Sequence, residues 1–187
     1  MPLILGFRNP GVHIIGVEIQ AKLARLADQN IARNQMTDQI CILNRDITKV
    51  RLSHTQGGLD LIISNPPYKK KDTGRLNLDP QKAIARHELM LTINQVFANA
   101  DMLLKPKGRI MVIFPADRIQ DLFHAMTGTG IHLDWLKLIH TRPGKDAKRV
   151  ILSGVKNPQG SSRVLPSLCL YDEKNNPTKD HTNLFNA

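Results

Sequence analysis

The chain has 187 residues, 41% of them hydrophobic, enough for one globular core, and no low-complexity stretch divides it, so a single domain over residues 1–187 is expected. Its 26 basic and 16 acidic side chains give a formal net charge of +10. The longest apolar runs fall far short of the roughly 20 residues that span a bilayer, and the opening Met-Pro-Leu-Ile-Leu-Gly-Phe-Arg-Asn-Pro lacks the basic segment and cleavage site of a secretory signal, so a cytoplasmic location is expected.

In chain order, His13 to Ile19 reads as a buried strand and Ala21 to Asn34 as a helix with Leu23, Leu26, Ala27 and Ile31 at helical spacing. A second strand, Ile40 to Asn44, runs into Arg45-Asp46. A third, Leu59 to Ser64, follows the Gly57-Gly58 turn and meets Asn65-Pro66-Pro67-Tyr68, where consecutive prolines end strand pairing. Asp79-Pro80 predicts a helix start, with Asp as N-cap and Pro at the first helical position, continuing to Leu104 and stopping at Lys105-Pro106-Lys107-Gly108. Arg109 to Phe114 is the next buried strand and Ala116 to Met126 the next helix. Leu133 to His140, Arg149 to Lys156 and Val164 to Tyr171 are predicted strands, with no helix-length segment between the last two.

This alternation predicts an α/β fold: a mostly parallel sheet with helices on both faces and antiparallel strands at the C-terminal end. Ligands of such sheets sit outside the carboxyl ends of the strands, so Glu18, Asp46 and Asn65, which close three successive strands, are expected to share one rim. Cys41 and Cys169 lie in apolar, strand-like runs and read as buried free thiols. The seven histidines show no ligand spacing, and no metal site is predicted.

The charge is uneven. Residues 1–65 carry seven basic and five acidic side chains, whereas the remainder carries nineteen and eleven. Lys69, Lys70, Lys71 and Arg75 follow the double proline directly, and Arg142, Lys145, Lys148 and Arg149 cluster later. A basic rim of this kind suits a polyanion such as nucleic acid; an ordinary solvated surface is the alternative.

Asn65-Pro66-Pro67-Tyr68 is the most specific signal, since at average residue frequencies the tetrapeptide arises by chance about once in a couple of thousand chains of this length. Its chemistry suits an exocyclic amine whose lone pair is delocalised into a ring. The Asn65 side-chain oxygen and the Pro66 carbonyl can both accept from such an amine, favouring a pyramidal nitrogen. Pro66 and Pro67 fix φ and remove competing backbone donors. Tyr68 offers a flat face for a base taken out of its stack. A rigid turn after a core strand is the bland alternative.

On these residues the sequence resembles Rossmann-like class I methyltransferases, in which an Asn-Pro-Pro-aromatic motif after the fourth strand marks N-methylation of adenine, guanine or glutamine. Ala85-Arg86-His87-Glu88, Phe114-Pro115-Ala116-Asp117-Arg118 and the segment from Arg142 to Val150 resemble the tRNA(Val) adenine-N6-methyltransferase subgroup, and the resemblance covers almost the whole chain. It implies S-adenosyl-L-methionine as cofactor, with Glu18 on the ribose hydroxyls, Ile19 against the adenine ring, Asp46 accepting from the adenine amine and Ile47 offering its backbone amide. It implies Asn65, Pro66, Pro67 and Tyr68 as the catalytic group, with Asn65 also facing the cofactor. Arg86 and His87 would lie on the substrate side, and Lys69, Lys70, Lys71, Arg142, Lys145, Lys148 and Arg149 would meet tRNA phosphates.

One family feature is missing from the sequence. Class I methyltransferases carry an acidic-x-Gly-x-Gly-x-Gly type loop after their first strand, and these 187 residues contain none. Met1 to Phe7 resembles the helix that follows that loop, so the chain is expected to lack the first strand and the glycine loop, leaving two apolar sheet edges unpaired, unless a second chain supplies them. Release-factor glutamine, ribosomal-RNA guanine-N2 and DNA adenine methyltransferases use similar tetrapeptides and remain alternatives, as does a non-catalytic RNA-binding remnant.

Overall fold

The β-branched run after His13 forms strand β1 (Ile14–Glu18), and Ile40–Asn44 forms β2, paired with it in parallel from Ile14 opposite Ile40 to Glu18 opposite Asn44. Parallel neighbours need a crossover, supplied by helix α2 (Ala21–Arg33). Before β1 lies helix α1 (Pro2–Arg8), whose end is tied to β2 by the Gln39 side-chain amide, which donates to the carbonyls of Gly6 (3.2 Å) and Asn9 (2.7 Å). These elements belong to one compact unit, Met1–Gly57; Gly58–Ala187 is a second. The computed structural model describes residues 1–66, 91–157 and 160–186.

The buried stripe of α2 differs from the sequence pattern. Ala24 and Ile31 are buried, while Leu23 and Leu26 are 43% and 50% exposed. A two-stranded sheet offers a helix a strip only one strand spacing wide, ~4.8 Å, which the 24/31 face fills. Cys41, expected inside, is exposed on β2, because successive residues of a strand point to opposite faces; Cys169 is half-buried, and both are free thiols.

The second unit is built on a five-stranded sheet of strands β3 (Leu59–Ser64), β4 (Leu104–Pro115), β5 (Ile131–His140), β6 (Ala147–Lys156) and β7 (Arg163–Cys169). Their order is β3-β4-β6-β5-β7. β3 runs parallel to β4 and β7 parallel to β5, while β6 is antiparallel to both its neighbours, so the reversed strand lies inside the sheet and not at its last edge. Helices α3 (Ile93–Leu103) and α4 (Ile119–Met126) pack Val96, Phe97, Ala100 and Leu122 against alternate strand residues Ile110, Val112, Phe114, Val150 and Leu152. Ala116–Arg118 is a 3₁₀ turn leading into α4, and helix α5 (Lys179–Asn186) closes the chain; the latter carried no strong signal in the sequence.

Two sequence expectations change here. The Asp79-Pro80 start lies outside the described residues, but the helix does not run on unbroken to Leu104: Thr92 is extended, and α3 begins after it. The cause is local. Thr92 Oγ1 accepts from the Gln95 amide (3.3 Å) while Gln95 Oε1 accepts from the Thr92 amide (2.9 Å), a reciprocal cap that fixes the start of α3. Thr92→Ala is therefore expected to lower the unfolding free energy by about 1 kcal/mol, read as a lower urea midpoint at unchanged slope, with Thr92→Ser near neutral.

The second change concerns Lys105 to Gly108, expected as a stop but assigned to β4. Against β3, Leu59 pairs with Leu104 and Leu61 already with Arg109, so these residues form a bulge. Gly108 is required there: a Cβ on it would lie 2.9 Å from the carbonyl oxygens of both Leu59 and Lys105. β3 is also less buried than its apolar run suggests. Leu61 is 47% and Ile63 36% exposed, because β3 is an edge strand among the described residues and, of its apolar side chains, Leu59 and Ile62 pack against the core.

Candidate functional site

In the first unit, the parallel register delivers Glu18 and Asn44 to the same strand end. The Asn44 amide donates to the carbonyls of Glu18 (2.8 Å) and Ile19 (3.1 Å), and the Arg45 backbone N–H donates to Glu18 O (3.1 Å). This locks the two chain segments leaving the sheet. Glu18 Oε1 accepts from the Gln20 amide (2.8 Å), and Asp46 Oδ1 accepts from the Thr48 amide (2.9 Å), capping the 3₁₀ turn Ile47–Lys49. Each carboxylate thus has one oxygen committed to local backbone, and among the described residues the other oxygen carries no hydrogen bond. Two oriented acceptors beside Ile19, an apolar side chain left 43% exposed, form a donor-seeking rim with an apolar wall. That chemistry fits a ribose diol and a purine. Asn44 had no role in the sequence reading; its only signal was a polar residue ending an apolar strand.

The second unit gathers a separate group of residues. β3 ends at Ser64, opposite Val112, so Asn65 and Pro66 leave the sheet beside the carboxyl end of β4; Asn65 is exposed and Pro66 buried. Two residues further along β4, Phe114 pairs with Val150 and Pro115 with Arg149, and Arg149 in turn pairs with Ile139 of β5. One end of one sheet therefore carries Asn65-Pro66, the Phe114 to Arg118 turn and the basic β5–β6 connection. Pro67, Tyr68, Lys69, Lys70, Lys71, Arg86 and His87 lie outside the described residues.

Lys145 is exposed in the β5–β6 connection, as are Lys148 and Arg149 at the start of β6. Arg149 donates to the Lys148 carbonyl (2.9 Å), and Arg142 donates to Asn175 Oδ1 (2.7 Å). His140 Nδ1 lies 2.7 Å from the Lys145 carbonyl, an acceptor, so Nδ1 carries the proton. Beside this segment Arg118 stacks over the Phe114 ring, 5.0 Å from its centroid, and pairs with Asp121 at 2.7 Å. In the sequence Arg118 stood out only as the last residue of the Phe114-Pro115-Ala116-Asp117-Arg118 block. Asn175 was not legible at all, being 33 residues from its partner.

A parallel βαβ pair with an acid closing its first strand, together with a mixed sheet carrying Asn-Pro at the carboxyl end of a strand, defines the class: a Rossmann-like class I methyltransferase fold. The chain belongs to the RMKL-like, methyltransferase domain family, whose model matches residues 5–127. It is 34% identical over 151 residues to the tRNA1(Val) (adenine(37)-N6)-methyltransferase of Porphyromonas gingivalis, covering 80% of this chain and 58% of that protein. The protein of the same name from Phocaeicola vulgatus is 35% identical over 143 residues, covering 75% of this chain and 58% of the relative. The chain thus spans less than two thirds of either relative. Among solved structures, a predicted O-methyltransferase from Agrobacterium tumefaciens superposes with a TM-score of 0.71 at 18% identity, over 97% of this chain and 81% of that one. At that identity the likeness speaks for the fold alone. No helix among the described residues is long and apolar enough to cross a membrane.

Proposed function

We propose that this domain transfers a methyl group from S-adenosyl-L-methionine to N6 of an adenine in tRNA, in the cytoplasm. The observation that carries the reading is the common sheet end of the second unit, where register brings Asn65-Pro66 beside the cationic β5–β6 connection. The Asn65 side-chain oxygen and the Pro66 carbonyl accept hydrogen bonds from the adenine amine and turn its lone pair out of conjugation. Pro67 holds the backbone rigid, and Tyr68 stacks on the flipped base. The cofactor supplies an electrophilic methyl group on a sulfonium. Glu18 accepts from its ribose hydroxyls, Ile19 packs on its adenine, and Asp46 with the Ile47 amide reads the edge of that ring. Lys69, Lys70, Lys71, Arg86, His87, Arg142, Lys145, Lys148 and Arg149 form the substrate side and neutralise phosphates. The names of the curated relatives support tRNA as substrate.

The family match, residues 5–127, runs across the division at Gly57 and Gly58, which supports reading the two units as parts of one methyltransferase domain. A segment outside these residues, carrying a strand and the glycine loop, completes the cofactor site for the methionine end; a second polypeptide can supply it. The test is transfer of labelled methyl groups to unmodified valine tRNA, with the product nucleoside identified by mass spectrometry. These 187 residues without a glycine-loop segment are expected to give no turnover, and with one supplied to give N6-methyladenosine. A methylated guanine or glutamine would replace the substrate assignment. RNA binding without transfer by the complemented form would leave a non-catalytic binding module.

A further inference from the structure

Arg142 is held by a neutral partner. Its Nη2 donates to the Asn175 side-chain oxygen at 2.7 Å, so the guanidinium is oriented without losing its charge, as it would to a carboxylate. Asn175 is itself fixed. It sits in the left-handed region (φ 68°), which asparagine tolerates better than most residues, within a turn closed on both sides. The Asp172 amide donates to the Asn176 carbonyl (2.9 Å), the Asn175 amide to the Asp172 carbonyl (3.1 Å), and the Asn176 amide to Asp172 Oδ1 (2.8 Å). Those bonds from Asn176 hold the Asp172 carboxyl below its ordinary range and keep it turned into its own turn.

The turn is fastened to the end of β5. Leu170 and Tyr171 donate their amides to the carbonyls of His140 and Thr141, both at 3.0 Å. The His140 ring holds the Lys145 carbonyl on the other side of the same connection. A basic loop otherwise free to sample many orientations is thereby braced at two points, and at one of them the brace is a side chain that preserves charge.

We infer that Asn175 is a positioning residue for RNA: it presents the Arg142 guanidinium, preorganised and uncancelled, to a backbone phosphate. This rests on the reading of the site as tRNA-binding. Arg142 has five N–H donors in a rigid fork, so one bond to Asn175 leaves a pair for a phosphate. Fixing the fork in advance removes an ordering cost from binding, and keeping its charge retains the counterion release that drives association.

The test is affinity of the 187-residue chain for an unmodified valine tRNA transcript as salt is raised from about 50 to 200 mM, compared for wild type, Asn175→Asp, Asn175→Ala and Arg142→Ala. Asn175→Asp keeps a hydrogen-bond acceptor for Arg142 but cancels its charge. It is expected to weaken binding about tenfold at low salt and to lower the slope of log affinity against log salt by roughly 0.7–0.9, the share of one phosphate. Arg142→Ala should lose the same slope, and the double variant no more than either. Asn175→Ala should weaken binding about threefold with the slope kept, because the cation remains but is no longer aimed. An Asn175→Asp protein with wild-type slope and affinity overturns the inference and leaves Asn175 a structural brace. Should that variant fail to fold, an additive Arg142→Ala, Asn175→Ala pair overturns it equally. Wild-type affinity that does not change with salt sinks the tRNA reading itself, an outcome separate from both.

Discussion

Asn65→Ala is expected to slow methyl transfer by about 10²-fold or more while leaving cofactor affinity within about threefold. The reason lies in what the side chain does. An aryl amine attacks a methyl sulfonium only when its lone pair is released from the ring, and an acceptor fixed at the end of β3 favours that geometry. Asn65 is exposed, so the truncation opens no core cavity, and Pro66 behind it stays buried. Single-turnover rates and calorimetric cofactor binding, both on the complemented enzyme, separate the two quantities. Turnover within threefold of wild type would remove Asn65 from the mechanism, and a parallel loss of cofactor binding would make it a cofactor ligand first.

Phe114→Ala should cost roughly 3–5 kcal/mol of folding stability, and Phe114→Leu less than about 1.5 kcal/mol. The ring is 1% exposed, lies opposite Val150 of β6 and belongs to the core cluster with Val112 and Leu122. Its removal leaves a cavity that neighbours on a hydrogen-bonded sheet close only in part. Arg118 also loses the aromatic face it stacks on, a contribution of about 0.5–1 kcal/mol. Urea denaturation measures both variants, and a loss under about 1 kcal/mol for the alanine would mean that the pocket collapses around the missing ring. Because Phe114 immediately precedes the turn beside Asn65, the alanine variant is also expected to lower the fraction of active enzyme at elevated temperature, and not the rate of the folded fraction.

Strands were the most legible feature of the sequence. Ile40–Asn44 and Leu59–Ser64 match their predicted limits, since β-branched runs bounded by polar residues, glycine or proline leave little freedom in where pairing starts and stops. Strand order was less so: nothing in the pattern of residues 131–169 tells that β6 inserts between β4 and β5, or that β7 then pairs in parallel with β5. The start of helix α3 was missed because the apolar spacing reads straight across Thr92, whose hydroxyl caps the helix. The exposure of Leu23, Leu26 and Cys41 escaped for a related reason, as apolar identity does not say how wide a partner surface is.

The candidate site divides in the same way. Glu18, Asp46 and Asn65 were readable as residues that close strands, because the fold type directs ligands to those ends. The catalytic reading of Asn-Pro-Pro-Tyr came from the chemistry of its four side chains and backbone groups. Asn44 and Asn175 were not readable: each acts through a hydrogen bond to a segment more than twenty residues away, a relation that exists only once the sheet has formed.

The sheet order of the second unit also governs how the chain matures on the ribosome. β3 finds its partner β4 about 50 residues later, which at ~5–20 residues per second means a wait of roughly 2.5–10 s in which Leu61 and Ile63 emerge before the strand they pair with among the described residues. β4 then waits for β6, while β5, synthesised between them, can only join the sheet through β6. β6 is thus the keystone of assembly, and the nascent chain up to Gly144 is a stage at which holdase chaperones have apolar strand to grip.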